Sequence, residues 1–364
     1  MGFLLFLTII LFLILLEMTI PFLVKRSIVF GVFIPDEFVS DPKLVSYKKR
    51  YALLVLMIGA VAVSLFLLLS LNGNPKEALQ VLYGIAILFS ILLLSASLYF
   101  YFHAKTLQRK KEMKWGENLK QVKMTDLSVR SQDMMLSSPI FLIPMIVTLS
   151  VIGYTALKYN MLPEQIPTHW GVDGKPDAFT AKSLFSAHSL SFVVLIMQLM
   201  FFGIHETTKR SGIKLSATRQ EASRIRQLTL RKYSSLFLFI VNVLITLLFS
   251  FLQLQMIHPN IVDGAVVTAI PLLFLLIVLI GTVIFALKVG RAGGGVESSL
   301  KEGISDVDDD SFWKGGVFYF NKNDPSIFVE KRFGVGWTLN LANPIGYLII
   351  LVPLIIILLI AFWA

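Results

Sequence analysis

Long apolar runs separated by short polar segments dominate the sequence. A membrane-spanning α-helix needs about 20 mostly apolar residues to cross a hydrocarbon core about 30 Å thick. The pattern therefore predicts an all-α polytopic membrane protein with about eight transmembrane helices. The apolar runs lie at residues 3–24, 51–71, 78–102, 139–158, 184–205, 233–255, 265–287 and 341–363.

The distribution of Lys and Arg predicts the topology. They number six in 25–50, one in 72–77, eight in 103–138, three in 158–183, eight in 206–232, none in 256–264 and seven in 288–340. Cytoplasmic loops of membrane proteins carry an excess of basic residues. We therefore expect the basic segments to face the cytoplasm and an anionic inner leaflet, with both termini outside. This topology also explains the net charge of +10 without nucleic acid as a partner.

Composition supports this class and excludes some chemistry. Charged residues make up 15% of the chain, against about 25% in soluble domains. The chain has no cysteine, which excludes disulfides and thiolate metal sites.

The pattern of apolar and polar segments divides the chain into five regions. These are 1–138 with three spans, 139–205 with two spans and an outer loop at 159–183, 206–287 with a basic helix and two spans, 288–340 as a cytoplasmic linker and module, and 341–364 as the last span.

The outer segment 162–177, LPEQIPTHWGVDGKPD, has the most specific local shape in the chain. Its prolines restrict the backbone, and its Asp-Gly pair favours a tight turn. A titratable imidazole stands beside a large amphipathic indole. We expect an external recognition element for a ligand, or alternatively a rigid lid that seals the helix ends. The candidate ligand-binding residues are Pro163, Pro167, His169, Trp170, Asp173, Gly174, Pro176 and Asp177.

Enzyme signals are sparse. His205 and Glu206 begin a zincin-like pattern, but Lys209 stands where the second histidine ligand is needed. An outer metal site is an alternative, since one histidine and two carboxylates can hold zinc. The simpler interpretation makes these carboxylates turn formers, and no cofactor is expected. The residues available for such a site are Glu164, His169, Asp173, Asp177, His188, His258 and Asp263.

Glu17 is an ionisable residue inside the first predicted span. Such residues are functional candidates by default. Pairing with Lys25 or Arg26 is the structural interpretation, and a proton or substrate site is the alternative. Gln198, Asn242, Gln253 and Gln255 are interpreted as interhelical hydrogen-bonding residues.

The basic segments predict membrane-surface elements. Residues 48–50, Lys-Lys-Arg, are expected to end a short loop as a phospholipid anchor. Residues 105–123 predict a charged helix broken near Gly116, and 206–232 contain a second basic helix. Both helices are expected to lie on anionic headgroups, which attract each basic residue by about 1 kcal/mol. A protein-docking surface is the alternative.

The segment before the last span predicts a small β-rich module. Residues 291–296 form a Gly-rich linker, and the acidic run at 306–310 is expected to be a solvated linker. Residues 317–320 and 327–329 predict strands joined by a turn. The module is too short for its own core, so we expect it to pack on the basic helices. Its candidate residues are Trp313, Tyr319, Asn321, Asp324, Pro325, Arg332, Gly334, Gly336, Trp337 and Asn340.

The outer segment resembles a short bacterial domain of unknown function shared with SdpI-type immunity proteins, whose pattern is roughly L-P-x-x-I-P-x-H-W/F-x-x-x-G-x-P-D. Leu162, Ile166 and His169 are among the matching positions. Residues 318–344 resemble a second uncharacterised bacterial module. The resemblance implies a multi-pass protein of a Gram-positive-type plasma membrane with an immunity or signalling role.

The leading functional expectation is a non-enzymatic sensor or immunity protein. Its outer loop would meet an extracellular peptide or envelope ligand, and its inner module would relay occupancy to a cytoplasmic regulator or a membrane partner protein. One alternative is a permease or transporter subunit that uses Glu17. The other is a metal-dependent envelope enzyme built around His169.

Overall fold

Eight long helices are apolar enough to cross a membrane, as the sequence predicts. The computed structural model describes residues 2–72, 75–124, 127–170, 176–259, 262–296 and 303–363. The helices in that part of the chain are α1 (Gly2–Leu23), α2 (Pro42–Leu71), α3 (Glu77–Glu112), α4 (Leu142–Leu157), α5 (Leu184–Arg210), α6 (Gln220–Ile257), α7 (Gly264–Gly290) and α8 (Pro344–Trp363).

Short strand pairs connect these helices. Two of them form hairpin-like pairs near the chain's polar segments, and three involve the module before α8. The strands are β1 (Ile28–Val29), β2 (Val32–Phe33), β3 (Lys120–Val122), β4 (Gln165–Trp170), β5 (Pro176–Ala181), β6 (Ile304–Asp306), β7 (Trp313–Lys314), β8 (Phe318–Tyr319), β9 (Phe328–Glu330) and β10 (Trp337–Leu339). The predicted strand-containing module is therefore confirmed.

Several helices extend beyond the apolar runs. α2 begins at Pro42, where the Asp41 carboxylate accepts hydrogen bonds from the backbone N–H groups of Lys43 (2.9 Å) and Leu44 (3.2 Å). Proline suits this first helical position because it needs no N–H partner. The expectation that residues 48–50 end a loop was wrong, since they lie in the second and third turns of α2.

The charged segment 105–123 is only partly helical. α3 ends at Glu112, and Gly116 follows in the left-handed region at φ +93°. Strand β3 then pairs in parallel with β6 of the module. The helix predicted after Gly116 was wrong, because this stretch takes its backbone partners from a distant strand.

The chain divides into two compact units. The first contains Met1–Asp133, Gly212–Leu230 and Val283–Ala342, and the second contains Met134–Ser211, Arg231–Thr282 and Asn343–Ala364. In the first unit, α1, α2 and α3 pack through a core that includes Ile10 and Phe66. Small residues let helices approach closely in lipid. At Gly84, for example, an added Cβ would lie 2.2 Å from the ring of Phe6.

The first unit also packs its module against the polar segment after α1. Gly31 lies between β1 and β2 with φ +75°, a conformation that favours glycine. An added Cβ at Gly31 would lie 2.6 Å from the Cα of Gly316. The two backbones are therefore in direct contact, and Tyr99 donates a hydrogen bond to the Gly315 carbonyl beside them (3.0 Å).

The second unit is joined by polar contacts between helices. The Gln198 side chain on α5 donates to Thr148 on α4 (2.7 Å) and to Thr246 on α6 (2.8 Å). Gln253 on α6 donates to the Ala187 carbonyl of α5 (3.0 Å). These contacts confirm the interhelical role predicted for Gln198 and Gln253.

Candidate functional site

Strands β4 (165–170) and β5 (176–181) form an antiparallel pair in the second unit, called the hairpin below. The register of this pair shifts on either side of His169. The base of the hairpin is fixed because Ile166 is buried beside Leu162 and Met256. Ser183 then caps α5 by accepting a hydrogen bond from the Ser186 N–H (3.0 Å). Asp173 and Gly174 lie outside the described residues.

His169 and Asp177 face each other across the hairpin. The imidazole Nδ1 and the carboxylate Oδ1 form a short hydrogen bond, and both side chains are exposed, at 68% and 54%. Pro163 and Pro176 are exposed and Pro167 is half-buried. Trp170 belongs to β4, but its side chain is outside the described set. Of the predicted ligand-binding residues, Pro167, His169, Pro176 and Asp177 thus lie on the two strands of the hairpin, and Pro163 precedes it.

The residues named for an outer metal site do not converge. No group of three histidine or carboxylate residues suited to a metal occurs in the described parts of the chain. Glu164 pairs with Lys182 (3.3 Å), and His258 is hydrogen-bonded to Tyr154 (2.8 Å). His188 contacts the Leu184 carbonyl of its own helix (2.8 Å).

Glu17 has a different partner from the one expected. Tyr51 on α2 donates its hydroxyl to the Glu17 carboxylate (3.3 Å). Lys25 pairs instead with Glu330 (2.7 Å). The predicted pair of Glu17 with Lys25 was therefore wrong, and Glu17 links α1 to α2.

The first unit contains a buried ion cluster, defined here as Lys25, Arg226, Gln227 and Glu330. The Glu330 carboxylate accepts from Lys25 Nζ (2.7 Å), Arg226 Nε (2.9 Å) and Gln227 Nε2 (2.5 Å). Burial alone would raise the pKa of Glu330, but the charges of Lys25 and Arg226 outweigh it and hold the pKa below its ordinary value. The cluster joins the end of α1, the start of α6 and strand β9.

Arg226 also reaches the ends of two helices. Its guanidinium lies 3.4 Å from the carbonyl oxygens of Leu23, Val289 and Gly290, at the C-terminal ends of α1 and α7. The last carbonyls of a helix lack intrahelical donors, and a cation there is favourable. One side chain therefore neutralises Glu330 and stabilises two helix ends.

The acidic run 306–310 forms a second ion network. Arg332 donates to Asp309, to Asp310 and to the Gly31 carbonyl (2.7 Å). Lys110 pairs with Asp308 (2.5 Å) and Asp310 (2.7 Å). Burial acts to raise the pKa of Asp310, but Arg332 and Lys110 outweigh it and lower that pKa. The prediction of a solvated acidic linker was wrong.

A polar network fixes the turn between β8 and β9. Tyr319 donates to the Asp324 carboxylate (2.8 Å), and Lys214 pairs with the same group (2.6 Å). The buried Asn340 amide donates to the carbonyls of Asn321 (2.9 Å) and Asp324 (3.0 Å). Burial acts to raise the pKa of Asp324, but its hydrogen bonds, with Lys214 first, lower it.

The other residues predicted for the module have mainly local structural roles in packing, turns and strand pairing. Trp313 is buried against Tyr319, with ring centres 5.0 Å apart, and the Arg332 guanidinium stacks over Trp313 at 5.2 Å. Gly334 and Gly336 adopt φ values of +89° and +113° in the connection to β10. Trp337 pairs with Glu330 in that sheet. Pro325 stands in the turn that Asp324 organises.

Two arginines of the predicted surface helix are inside the protein. Arg226 and Arg231 are 8% and 0% exposed. In the second unit, Arg231 donates to the carbonyls of Thr208 (3.0 Å) and Lys209 (2.8 Å) at the end of α5. The expectation that this whole basic helix lies on headgroups was wrong. The missed cluster had one sequence signal, which is a glutamate in a short strand otherwise made of apolar residues.

Comparison with known proteins gives two partial matches. Residues 140–195 match a domain of unknown function (DUF1648), and this range includes α4, both strands of the hairpin and the start of α5. Residues 322–347 match a family of unknown function (DUF5808), which includes β9 and β10 of the module. No curated protein matches the chain, and no solved structure does so. The matches describe an integral membrane protein that carries two uncharacterised modules.

Proposed function

We propose that the protein is a non-enzymatic sensor or immunity protein of a bacterial plasma membrane, and that its hairpin binds an extracellular peptide. The exposed His169–Asp177 pair on a rigidly anchored hairpin carries this proposal. A loop that only connected two helices would need neither six-residue strands nor a buried anchor. The resemblance to immunity-type proteins supports the same assignment.

The hairpin is suited to strand addition. It is a two-stranded sheet, so each strand has one edge that no described strand covers. An extended peptide can pair with such an edge through backbone hydrogen bonds. β4 has Pro167 inside it, which removes a donor, whereas the proline of β5 stands at its first position. We assign the peptide to the edge of β5, beside His169 and Asp177.

Charge supports an outer location for the hairpin. Its segment, 158–183, contains three basic residues, while the segments before and after its flanking spans contain eight each. The positive-inside rule then assigns the hairpin to the external side.

The proposal also gives the module a relay role toward a cytoplasmic regulator. Phe318 and Phe320 are exposed at 56% and 41% on either side of the buried Tyr319. Exposed aromatic residues next to each other are typical of protein-binding surfaces. The ion cluster holds the module to other segments of the first unit, so such a surface has a fixed position within that unit.

Growth of a gene-deletion strain in the presence of a panel of antimicrobial peptides tests the proposal. We expect the deletion to be hypersensitive to at least one peptide, and the wild-type gene to restore resistance. The double variant His169→Ala/Asp177→Asn should fail to restore it while reaching wild-type abundance in the membrane. Both residues are exposed, so their exposed pair contributes little to folding.

Glu164→Gln is the matched control. Glu164 is an exposed carboxylate at the base of the same hairpin, 89% exposed, and lies outside the His169–Asp177 pair. It should restore resistance fully. Unchanged resistance in the His169/Asp177 double variant, at normal abundance, would remove the hairpin from the proposed function.

A further inference from the structure

A surface cavity of about 370 Å³ lies along the first turns of α2. Its lining follows one helix face, since the positions are spaced at three and four residues. Three of the lining residues are polar and three are apolar, with basic side chains beside exposed aliphatic ones. The lining residues are Pro42, Val45, Ser46, Lys49, Arg50 and Leu53.

The length of α2 places this cavity at the depth of lipid headgroups. α2 has 30 residues, which corresponds to about 45 Å, whereas the hydrocarbon core is about 30 Å thick. The apolar run of this helix begins at residue 51. The turns that carry Lys49 and Arg50 therefore extend past the hydrocarbon, while Leu53 lies at its edge.

The two cations in the cavity have no counterion among the described residues. Lys49 and Arg50 are exposed, and neither forms an ion pair or hydrogen bond with any described residue. Some other basic residues of the same unit are paired, such as Arg109, which contacts Asp41 (2.9 Å). Lys48, the third member of this basic run, is half-buried and does not line the cavity.

We propose that the α2 cavity binds one anionic phospholipid, with its phosphate between Lys49 and Arg50. The Ser46 hydroxyl provides a further hydrogen-bond donor to a phosphate oxygen. An acyl chain follows the exposed stripe of Leu53 and Met57, which are 57% and 53% exposed. A soluble phosphate would use only the polar half of this lining, so the apolar half assigns the site to a lipid.

Titration of the purified full-length protein in nonionic detergent with phosphatidylglycerol tests the proposal, and native mass spectrometry counts the bound lipids. We expect one phosphatidylglycerol to bind more tightly than phosphatidylcholine. Lys49→Gln/Arg50→Gln should weaken this binding roughly 25-fold, at about fivefold for each basic residue near the surface. Both side chains are exposed, and gel filtration checks that the variant remains folded.

Lys105→Gln/Lys111→Gln is the matched control. It removes the same charge from exposed positions on α3 that do not line the cavity. The affinity of this control variant for phosphatidylglycerol should differ less than twofold from that of the wild type. An equal loss in both double variants would overturn the proposal, because it would show attraction by net charge alone. Displacement of the lipid by millimolar inorganic phosphate would overturn the assignment to a lipid.

Discussion

Replacing Glu330 by glutamine removes the negative charge of the buried ion cluster without changing the size of the side chain. The carboxylate of Glu330 is 8% exposed and is shared by Lys25 and Arg226. In Glu330→Gln, Lys25 can return to solvent because its side chain is already 35% exposed. The side chain of Arg226 is only 9% exposed and cannot do so.

The expected loss of stability follows from this difference in burial. Removing one partner of a buried ion pair costs about 3–5 kcal/mol, because it leaves a buried charge uncompensated. In Glu330→Gln, Lys25 can be hydrated by solvent, and Arg226 keeps its three contacts with backbone carbonyl groups. We therefore expect a value near the lower limit, about 3 kcal/mol.

Unfolding in mixed micelles with increasing SDS, followed by circular dichroism at pH 7, measures the change. Glu221→Gln is the matched control, since Glu221 forms an exposed pair with Arg224 at 3.3 Å. Exposed pairs contribute about 0–1 kcal/mol. A loss in Glu330→Gln no larger than that in Glu221→Gln would refute the reasoning.

The pH dependence of the stability difference between wild type and Glu330→Gln gives an independent check on the role of the Glu330 charge. The folded-state pKa of Glu330 lies below its ordinary value of 4.5. Its contribution to stability is therefore fully present above that value and is lost as the pH falls through the folded pKa. The stability difference between wild type and Glu330→Gln should be constant from pH 7 to about 5 and should shrink below about 4.5. A difference that grew on acidification would contradict the assigned direction.

Two further predictions concern packing. Gly316→Ala should weaken the attachment of the module, because an added Cβ would lie 2.8 Å from the Cα of Gly31, at φ +72°. Faster limited proteolysis between α7 and α8 would show this, whereas Gly212→Ala, with nothing within 4 Å, should match the wild type. Gln198→Leu should cost about 0.6–1.7 kcal/mol in SDS unfolding, the range for hydrogen bonds between membrane helices. No loss would show that its bonds to Thr148 and Thr246 are not net stabilising.

Hydropathy and local turn chemistry predict much of this fold. The eight helices follow from apolar runs long enough to cross a bilayer. The strands near Tyr319 and Val329 follow from β-favouring residues between turn signals. The position of Pro176 also agrees with the hairpin, because proline is tolerated at the first residue of a strand and Pro176 begins β5. These features depend on residues close together in the chain.

The ion cluster could not be predicted in the same way. Glu330 and Arg226 are 104 residues apart in the chain, and no local pattern specifies that they meet. A run of basic residues is consistent with a solvated helix, and a run of aspartates with a solvated linker. Only the tertiary arrangement shows that Arg226 is buried and that Asp310 faces Lys110 and Arg332.

The composition of the module explains why these charges are buried. Its own core consists of Trp313, Tyr319 and Val329, with Phe312 packed beside them. So small a core provides little hydrophobic stabilisation against the cost of ordering the chain. Ion pairs with Lys110 and Arg226 supply specific attachment points on other segments of the first unit. Because those pairs require ionised carboxylates, attachment of the module should weaken in acid before the apolar helix core of α1, α2 and α3 does.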